Sequence, residues 1–163
     1  MSEWGPGRIT RTVRAGLESD STFGAVVPPI YLSTNFAFSG FGEPRAHDYT
    51  RSGNPTRDVL TTALAELEGG AGGVVTSTGM GAITCLVSAL LKVGDRICVP
   101  HDCYGGSWRL FDSLEGQGHF TVTYVDFTSP EAVARAFAQE PAPTVVWLET
   151  PSNPLLKVVD IAL

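Results

Sequence analysis

The stretch ICVPHDCYGGSWRLFDSLEGQGHFTVTYV, residues 97–125, decides the fold that the sequence predicts. It begins with the apolar run 97–99, which is typical of a buried strand, and it ends with a second strand-like run, 121–125. The residues between them predict a helix over 107–116. A strand, a helix and a strand in this order form a βαβ unit, whose two strands are parallel.

The same alternation extends in both directions along the chain. Upstream, the sequence predicts a helix that starts at Asn54-Pro55 and ends at Gly69-Gly70. A short strand, Val74-Val75, follows, and then a helix that opens at 77–80 and runs to about Lys92. Downstream, we expect a helix from Ser129-Pro130, with Val133, Ala136 and Phe137 facing inward, and a strand over 144–148. The fold class is therefore α/β, a mostly parallel sheet with helices on both faces.

Composition excludes several classes of protein. The 163 residues carry 17 acidic and 11 basic side chains, a net charge of −6, which argues against a nucleic-acid or membrane partner. Three cysteines, an odd number without a CxxC pair, favour a reducing compartment. The first ten residues have no apolar stretch typical of a signal peptide, so we expect a cytoplasmic protein.

Residues 1–45 differ from the rest and are predicted to form an N-terminal arm, with one domain over 46–163. The arm is rich in glycine, proline, serine and threonine, and Pro28-Pro29 imposes an extended path. Its closely spaced apolar residues, such as Phe36, Phe38 and Phe41, indicate that it packs on a surface. That surface is either its own domain or a neighbouring subunit.

At the other end, Asp160 has the position of a helix N-cap, and Ile161-Ala162-Leu163 supplies a single apolar turn. One turn of helix is not stable alone, because nucleation is unfavourable. We therefore expect the sequence to be truncated at residue 163.

Ligands bind to parallel sheets in the loops that follow the strands, so the candidate sites are 76–80, 100–107 and 149–154. The Ser77–Met80 segment, with Gly79 at its centre, opens a helix and suits a phosphate, and the alternative is an ordinary helix cap. Tyr49 and Arg51, two apart in an extended segment, also suit a phosphate, or a surface ion pair with a nearby acid.

The other two loops carry an aromatic ring and an amide. Tyr104, followed by Gly105-Gly106, suits stacking on a flat ligand or simple packing over a turn. Glu149 and Asn153 belong to a loop with two X-Pro bonds, either of which can be cis, and the alternative is a tight turn. No metal is predicted, because nothing completes a ligand set with 101–103.

These loops resemble the Cys/Met-metabolism family of pyridoxal-phosphate enzymes. The runs that carry the resemblance are in order and at family spacing, and they are Tyr49-Thr-Arg51-Ser-Gly-Asn-Pro-Thr-Arg57, Ser77-Thr-Gly-Met80, Asp102-Cys-Tyr-Gly-Gly-Ser107 and Glu149-Thr-Pro-Ser-Asn-Pro154. The segments 42–49 and 100–112 are most similar to the bacterial cystathionine γ-synthases of this family.

The resemblance implies an incomplete large domain of the aspartate-aminotransferase type and pyridoxal 5'-phosphate as cofactor. It places the cofactor phosphate on Ser77, Gly79 and Met80, and the ring between Tyr104, the catalytic residue, and Asn153. Glu149 supports the last loop. Three further residues are implied: Tyr49 and Arg51 reach a neighbouring subunit's cofactor, and Tyr49 and Arg109 bind the substrate.

The resemblance also implies γ-replacement on O-succinylhomoserine or O-acetylhomoserine by cysteine, giving cystathionine, in a homotetramer built from dimers with shared sites. Neither Lys92 nor Lys157 matches the family's Schiff-base lysine, so the chain alone is predicted to be inactive. The alternatives are cystathionine γ-lyase, an O-acylhomoserine sulfhydrylase, a non-catalytic fragment and a flavodoxin-like nucleotide binder.

Overall fold

A computed structural model describes residues 7–17 and 20–162, the side chain of Arg8 excepted. The chain folds as two compact units, Met1–Val75 and Thr76–Leu163, and the sheet belongs to the second. None of the helices in the described ranges is long and apolar enough to cross a lipid bilayer.

The first unit contains α1 (Arg8–Arg14) and α2 (Pro55–Glu68), which contact each other. The predicted start and end of α2 are confirmed: the Asn54 side chain accepts a hydrogen bond from the Thr56 N–H at 2.9 Å, and Gly69 ends the helix at φ 69°. A left-handed residue here favours glycine, which lacks the Cβ that would clash.

The N-terminal arm, predicted to be extended, contains the helix α1 and is therefore not extended along its whole length. Its N-cap, Gly7, makes no side-chain cap bond, and its first turn has no acidic residue. The sequence therefore carries no start signal, and contact with α2 accounts for the helix. Residues 1–6 of the predicted arm lie outside the described residues, and the arm boundary at residue 45 stays a prediction.

The apolar side chains of the predicted arm are mostly uncovered by the described part of the chain. Leu32 is 90% exposed and Ile30 is 76% exposed, whereas Phe36 is partly buried with its ring centroid 5.4 Å from that of His47. Packing on its own domain therefore accounts for little of this apolar surface.

The second unit is built on a parallel sheet of three strands in the order β2-β1-β3. Its elements are α3 (Gly79–Leu90), β1 (Arg96–Pro100), α4 (Gly105–Gly116), β2 (Thr121–Val125), α5 (Pro130–Phe137) and β3 (Val145–Val146). The βαβ unit over 97–125 is confirmed, with Ile97 opposite Val122 in the register.

Strand β1 is buried along its whole length because apolar clusters cover both faces of the sheet. On one face Ile97 and Val99 pack with Val87 of α3 and Phe111 of α4. On the other face Cys98 packs with buried residues from β2 to α5, namely Val125, Phe127 and Ala136. Helices on both faces, as predicted, are therefore what this sheet requires.

Two predicted strands differ from the structure. Val74-Val75 forms no strand, and Val74 is 79% exposed, because no strand in the described part of the chain pairs with it. Of the strand predicted over 144–148, only Val145 and Val146 pair in register with β1, although the N–H groups of Thr144 and Trp147 also bond to carbonyls of β1 at 2.8 Å. A strand needs a neighbour to satisfy its N–H and C=O groups.

One prediction near the end of the chain is also wrong. Phe137, expected to face inward, is 45% exposed, whereas Ala136 is buried. The Asp160 carboxylate accepts a hydrogen bond from the Ala162 N–H at 3.0 Å, as a helix N-cap does, and residues 161–162 form a turn. The helix predicted to begin at this cap stays a prediction. Leu163 lies outside the described residues.

Tyr124 of β2 is a stability defect that a single substitution removes. Its hydroxyl is buried and has no hydrogen-bond partner among the described residues. We expect Tyr124→Phe to raise the free energy of unfolding by about 1 kcal/mol, because the hydroxyl loses its solvation without gaining a bond. Urea unfolding at pH 7 measures the change, with the exposed Tyr31→Phe as the matched control.

The pH dependence provides a second check on Tyr124. Burial, and after it nearby negative charge, raises the pKa of the phenol from 10.0 to about 12. The unfolded chain therefore loses this proton first, so the free energy of unfolding falls as the pH rises from 10 to 12. The Phe variant should lack this fall, and an equal fall in both proteins would contradict the interpretation.

Candidate active site

The start of α3 presents unpaired backbone donors. Thr78 is the N-cap, and its side-chain oxygen accepts a hydrogen bond from the Gly81 N–H at 2.9 Å. Among the residues that the structure describes, the N–H groups of Gly79 and Met80 have no hydrogen-bond partner. Ser77, Thr78 and Gly79 are exposed, so an anion can reach these donors, which lie at the positive end of the helix dipole.

The Tyr104 ring and Met80, at the start of α3, both lie close to Gly106. A Cβ at residue 106 would lie 2.5 Å from Cε1 of the Tyr104 ring and 2.9 Å from Sδ of Met80. The ring and the thioether therefore converge on one buried backbone position, although they are 24 positions apart in the sequence. Only a residue without a side chain fits between them.

Glu149 connects the loop after β1 to the end of β3. Its Oε2 accepts a hydrogen bond from the Tyr104 N–H at 2.6 Å, and its Oε1 accepts from the Ser107 hydroxyl at 3.0 Å and from the Trp147 indole N–H at 2.9 Å. The carboxylate thus lies at the N-terminus of α4, where a negative charge is favourable. It holds the backbone of Tyr104 in place.

Asn153 is exposed, and its side chain makes no hydrogen bond within the described ranges. Its neighbour Ser152 is buried and donates a hydrogen bond to Asp102 Oδ2 at 2.8 Å. The Thr150-Pro151 and Asn153-Pro154 peptide bonds are both cis. The predicted loops therefore meet: 102–107 is bonded to 149–153 through Glu149 and through Ser152.

Ser152, Asp102 and Gly106 contribute to this arrangement in ways that sequence reasoning missed. The sequence suggests Asp102 only as a metal ligand and Gly106 only as a flexible residue. The one available signal for Ser152 is its place between two prolines, because a polar residue in so stiff a loop needs a fixed partner. Its partner lies 50 positions away.

The thiol of Cys103 lies beneath this loop and is buried. Burial, and after it the charge of Glu149, raises its pKa to about 11. The protonated thiol is a poor nucleophile, and Cys103 packs in the apolar core with Val99 and Phe111.

Tyr49 and Arg51 belong to the first unit and share a face there, as predicted. The Arg51 guanidinium donates a hydrogen bond to the Tyr49 hydroxyl at 2.9 Å and its Cζ lies 5.3 Å from the ring centroid. Arg51 is exposed and has no carboxylate partner in the described part of the chain, which disfavours the surface ion pair. Its guanidinium and the phenol remain available to an anion.

The turn that carries this pair is held by Asp48. Its carboxylate accepts hydrogen bonds from the Ser52 hydroxyl at 3.0 Å and the Tyr49 N–H at 2.6 Å, and these bonds, that from Ser52 above all, lower its pKa. In the second unit, Arg109 is exposed on α4, and its Nη1 lies 3.5 Å from the position of a Cβ at Gly105. That places Arg109 beside the first turn of α4, directly after Tyr104.

A family model described as Cys/Met metabolism PLP-dependent enzyme matches residues 9–163. The chain belongs to this family. The resemblance predicted from the four loop motifs is thus confirmed, and so is pyridoxal phosphate as the cofactor of the family.

Individual relatives of this chain are named as enzymes that form or cleave cystathionine. Cystathionine gamma-synthase of Escherichia coli K12 is 58% identical over 95% of this chain and 40% of its own length. Cystathionine beta-lyase of Lactococcus lactis subsp. cremoris is 40% identical over 93% of this chain and 39% of its own. The chain therefore spans about two fifths of the length of the curated relatives that it matches.

Solved structures confirm the predicted fold class. Cystathionine gamma synthase from Xanthomonas oryzae pv. oryzae, in complex with aminoacrylate and cysteine, superposes with a TM-score of 0.90 at 58% identity over 96% of this chain and 40% of that one. Cystathionine gamma lyase (CalE6) from Micromonospora echinospora superposes with a TM-score of 0.86 at 41% identity, covering 97% of this chain and 41% of that one.

Proposed function

We propose that this chain is the N-terminal part of a cystathionine γ-synthase. The reaction is the replacement, at the γ-carbon of O-succinylhomoserine or O-acetylhomoserine, of the acyloxy group by the sulfur of cysteine, giving cystathionine and releasing succinate or acetate. The observation that carries the proposal is the convergence of Met80 and Tyr104 on Gly106, next to unpaired N–H donors. The 58% identity to the Escherichia coli enzyme supports the choice of reaction.

The second unit fits one side of pyridoxal phosphate by the chemistry of its donors. The Gly79 and Met80 N–H groups and the Ser77 hydroxyl suit the phosphate, which bears two negative charges. The exposed face of Tyr104 suits the pyridine ring, and the Asn153 amide suits the ring hydroxyl. When bound, the cofactor accepts electron density released by proton loss at Cα and then Cβ of the substrate.

In this proposal, the chain's own residues hold and orient the cofactor and the substrate. Glu149 keeps the Tyr104 backbone in place, so that the ring stays over the start of α3 while its phenol holds a proton for the leaving group. Tyr49 and Arg51 act on the cofactor phosphate of a neighbouring subunit, and Tyr49 and Arg109 contact the substrate. The arm's uncovered apolar residues lie against that neighbour in a homotetramer.

Neither lysine of the chain serves as the covalent attachment point in this proposal. Lys157 Nζ lies 3.7 Å from Asp102 Oδ2, and Lys92 follows Leu91, the C-cap of α3, with its backbone N–H bonded to Asp95. We therefore place the attachment lysine outside this chain. A cytoplasmic location belongs to the same proposal, since three free cysteines suit a reducing compartment.

A chimera tests the function directly. Residues 9–163 replace the matching segment of the Escherichia coli cystathionine gamma-synthase, and the product is assayed with O-succinylhomoserine plus cysteine and, separately, with cystathionine alone. We expect cystathionine formation in the first assay, with the acetyl ester compared in parallel. Cleavage of cystathionine without synthesis would instead favour the lyase function named for relatives about 40% identical.

A further inference from the structure

Asn153 belongs to a small closed loop. The Ser152 N–H donates to the Lys157 carbonyl at 2.9 Å, and the Leu156 N–H donates to the Ser152 carbonyl at 2.9 Å. These bonds join the two ends of residues 152–157 and close the loop. Because the Asn153 side chain has no bond of its own in the described ranges, its position depends on the base of this loop.

The base of the loop is attached to Asp102. Ser152 is 2% exposed; its hydroxyl donates to Asp102 Oδ2 at 2.8 Å and accepts from the Lys157 N–H at 3.2 Å. The Lys157 ammonium lies 3.7 Å from the same carboxylate oxygen and 3.3 Å from Nε2 of His101. A hydrogen bond to a charged carboxylate contributes more to stability than one between neutral groups.

Asp102 is also part of the loop that carries Tyr104. It precedes Tyr104 by two residues, and the Cys103 N–H between them is bonded to the Pro100 carbonyl at 3.1 Å. One carboxylate therefore fixes the loop of Asn153 to the loop of Tyr104. The Glu149–Tyr104 bond described above is a second link, made from outside the closed loop.

We infer that Asp102, Ser152 and Lys157 form a lock, meaning the three side chains bonded at Asp102 Oδ2, that positions Asn153 relative to Tyr104. The three are positioning residues and touch no substrate. What Asn153 and Tyr104 bind rests on the proposed function, whereas the coupling of the two loops does not. Lys157 thereby acquires a role, although it is not the attachment lysine.

Hydrogen exchange on the complete, cofactor-free protein tests the coupling. In Ser152→Ala we expect the amides of both segments, 101–107 and 150–157, to exchange about tenfold faster, because one charged hydrogen bond supports both. Asp102→Asn keeps an acceptor oxygen but loses the charge, and it should give a smaller increase in the same two segments. It also replaces Ser152→Ala if that variant does not fold.

The matched control is Ser129→Ala, which also removes a serine hydroxyl that makes two hydrogen bonds, here at the start of α5. It should lower stability without accelerating exchange in 101–107 or 150–157. Faster exchange confined to 150–157 in Ser152→Ala would overturn the lock, and so would unchanged exchange in both segments.

A second measurement connects the lock to the cofactor. Pyridoxal phosphate is titrated into the same proteins, and the visible circular dichroism of the bound form is recorded. We expect Ser152→Ala to weaken binding about tenfold and to change the dichroic band, and Ser129→Ala to change neither. If the wild-type protein binds no pyridoxal phosphate, the proposed function fails while the exchange result still decides the lock. Wild-type affinity and band in a folded Ser152→Ala protein would overturn the positioning role.

Discussion

Gly106→Ala should weaken the binding of pyridoxal phosphate at least about tenfold while leaving the fold nearly as stable as before. The added Cβ would lie 2.5 Å from the Tyr104 ring and 2.9 Å from Met80 Sδ, distances that neither group tolerates. Tyr104 is 47% exposed, so its ring can turn away into solvent at little cost to the fold. The ring then no longer lies over the start of α3, where the cofactor is proposed to bind.

Two measurements separate the effect on binding from any effect on stability. Equilibrium titration with pyridoxal phosphate gives the affinity, and urea unfolding gives the stability, where alanine in a helix offsets part of the strain by up to about 1 kcal/mol. Gly116→Ala, in the same helix, is the control because nothing lies within 4 Å of its added Cβ. Wild-type affinity in a folded Gly106→Ala protein would contradict the proposed position of the ring.

Elements fixed by local signals were predictable from the sequence. The strand over 121–125 is found with the predicted bounds, and α2 begins at Pro55 as expected, because a cap, a proline and a glycine act within a few residues of one another. The candidate loops were predictable for a related reason. The loops after β1 and β3 lie at the carboxyl ends of parallel strands, which share one edge of the sheet.

What the sequence could not provide depends on partners that are far away along the chain. Helix α1 has no capping signal, and Val74-Val75 looks like a strand but lacks a neighbouring strand in the described part of the chain. The Ser152–Asp102 bond joins residues 50 positions apart. No periodicity or spacing rule indicates such a pair, because its existence depends on the sheet having formed first.

Arg96 is the clearest case of a residue whose role only the structure reveals. In the sequence it is a charged residue at the edge of an apolar strand, yet it is 4% exposed. No carboxylate pairs with it in the described ranges; neutral acceptors do so instead. These acceptors are the carbonyls of Pro141 at 2.6 Å, Ala136 at 3.1 Å and Gln139 at 2.9 Å, the Thr123 hydroxyl at 3.1 Å and Cys98 Sγ at 3.5 Å.

We expect Arg96→Met to lower the free energy of unfolding by about 3–5 kcal/mol, because it removes several hydrogen bonds made by one buried, charged donor. Methionine fills similar space but leaves the carbonyls of Gln139 and Pro141 without donors, and each unsatisfied group costs about 1–3 kcal/mol. Urea unfolding, followed by circular dichroism, measures the loss. Arg135→Met, on the exposed side of α5, is the control and should change stability by less than about 0.5 kcal/mol.

Arg96→Lys distinguishes the need for a charge from the need for a fork of donors. A lysine keeps the positive charge at the end of α5, where it complements the helix dipole. Its single ammonium cannot reach three carbonyls that lie around a planar guanidinium, so most of the loss should remain. If Arg96→Lys were as stable as the wild type, charge alone would explain the site. Equal losses in the methionine and lysine variants would instead show that the geometry of the guanidinium attaches α5 and the 139–141 segment to the central strand.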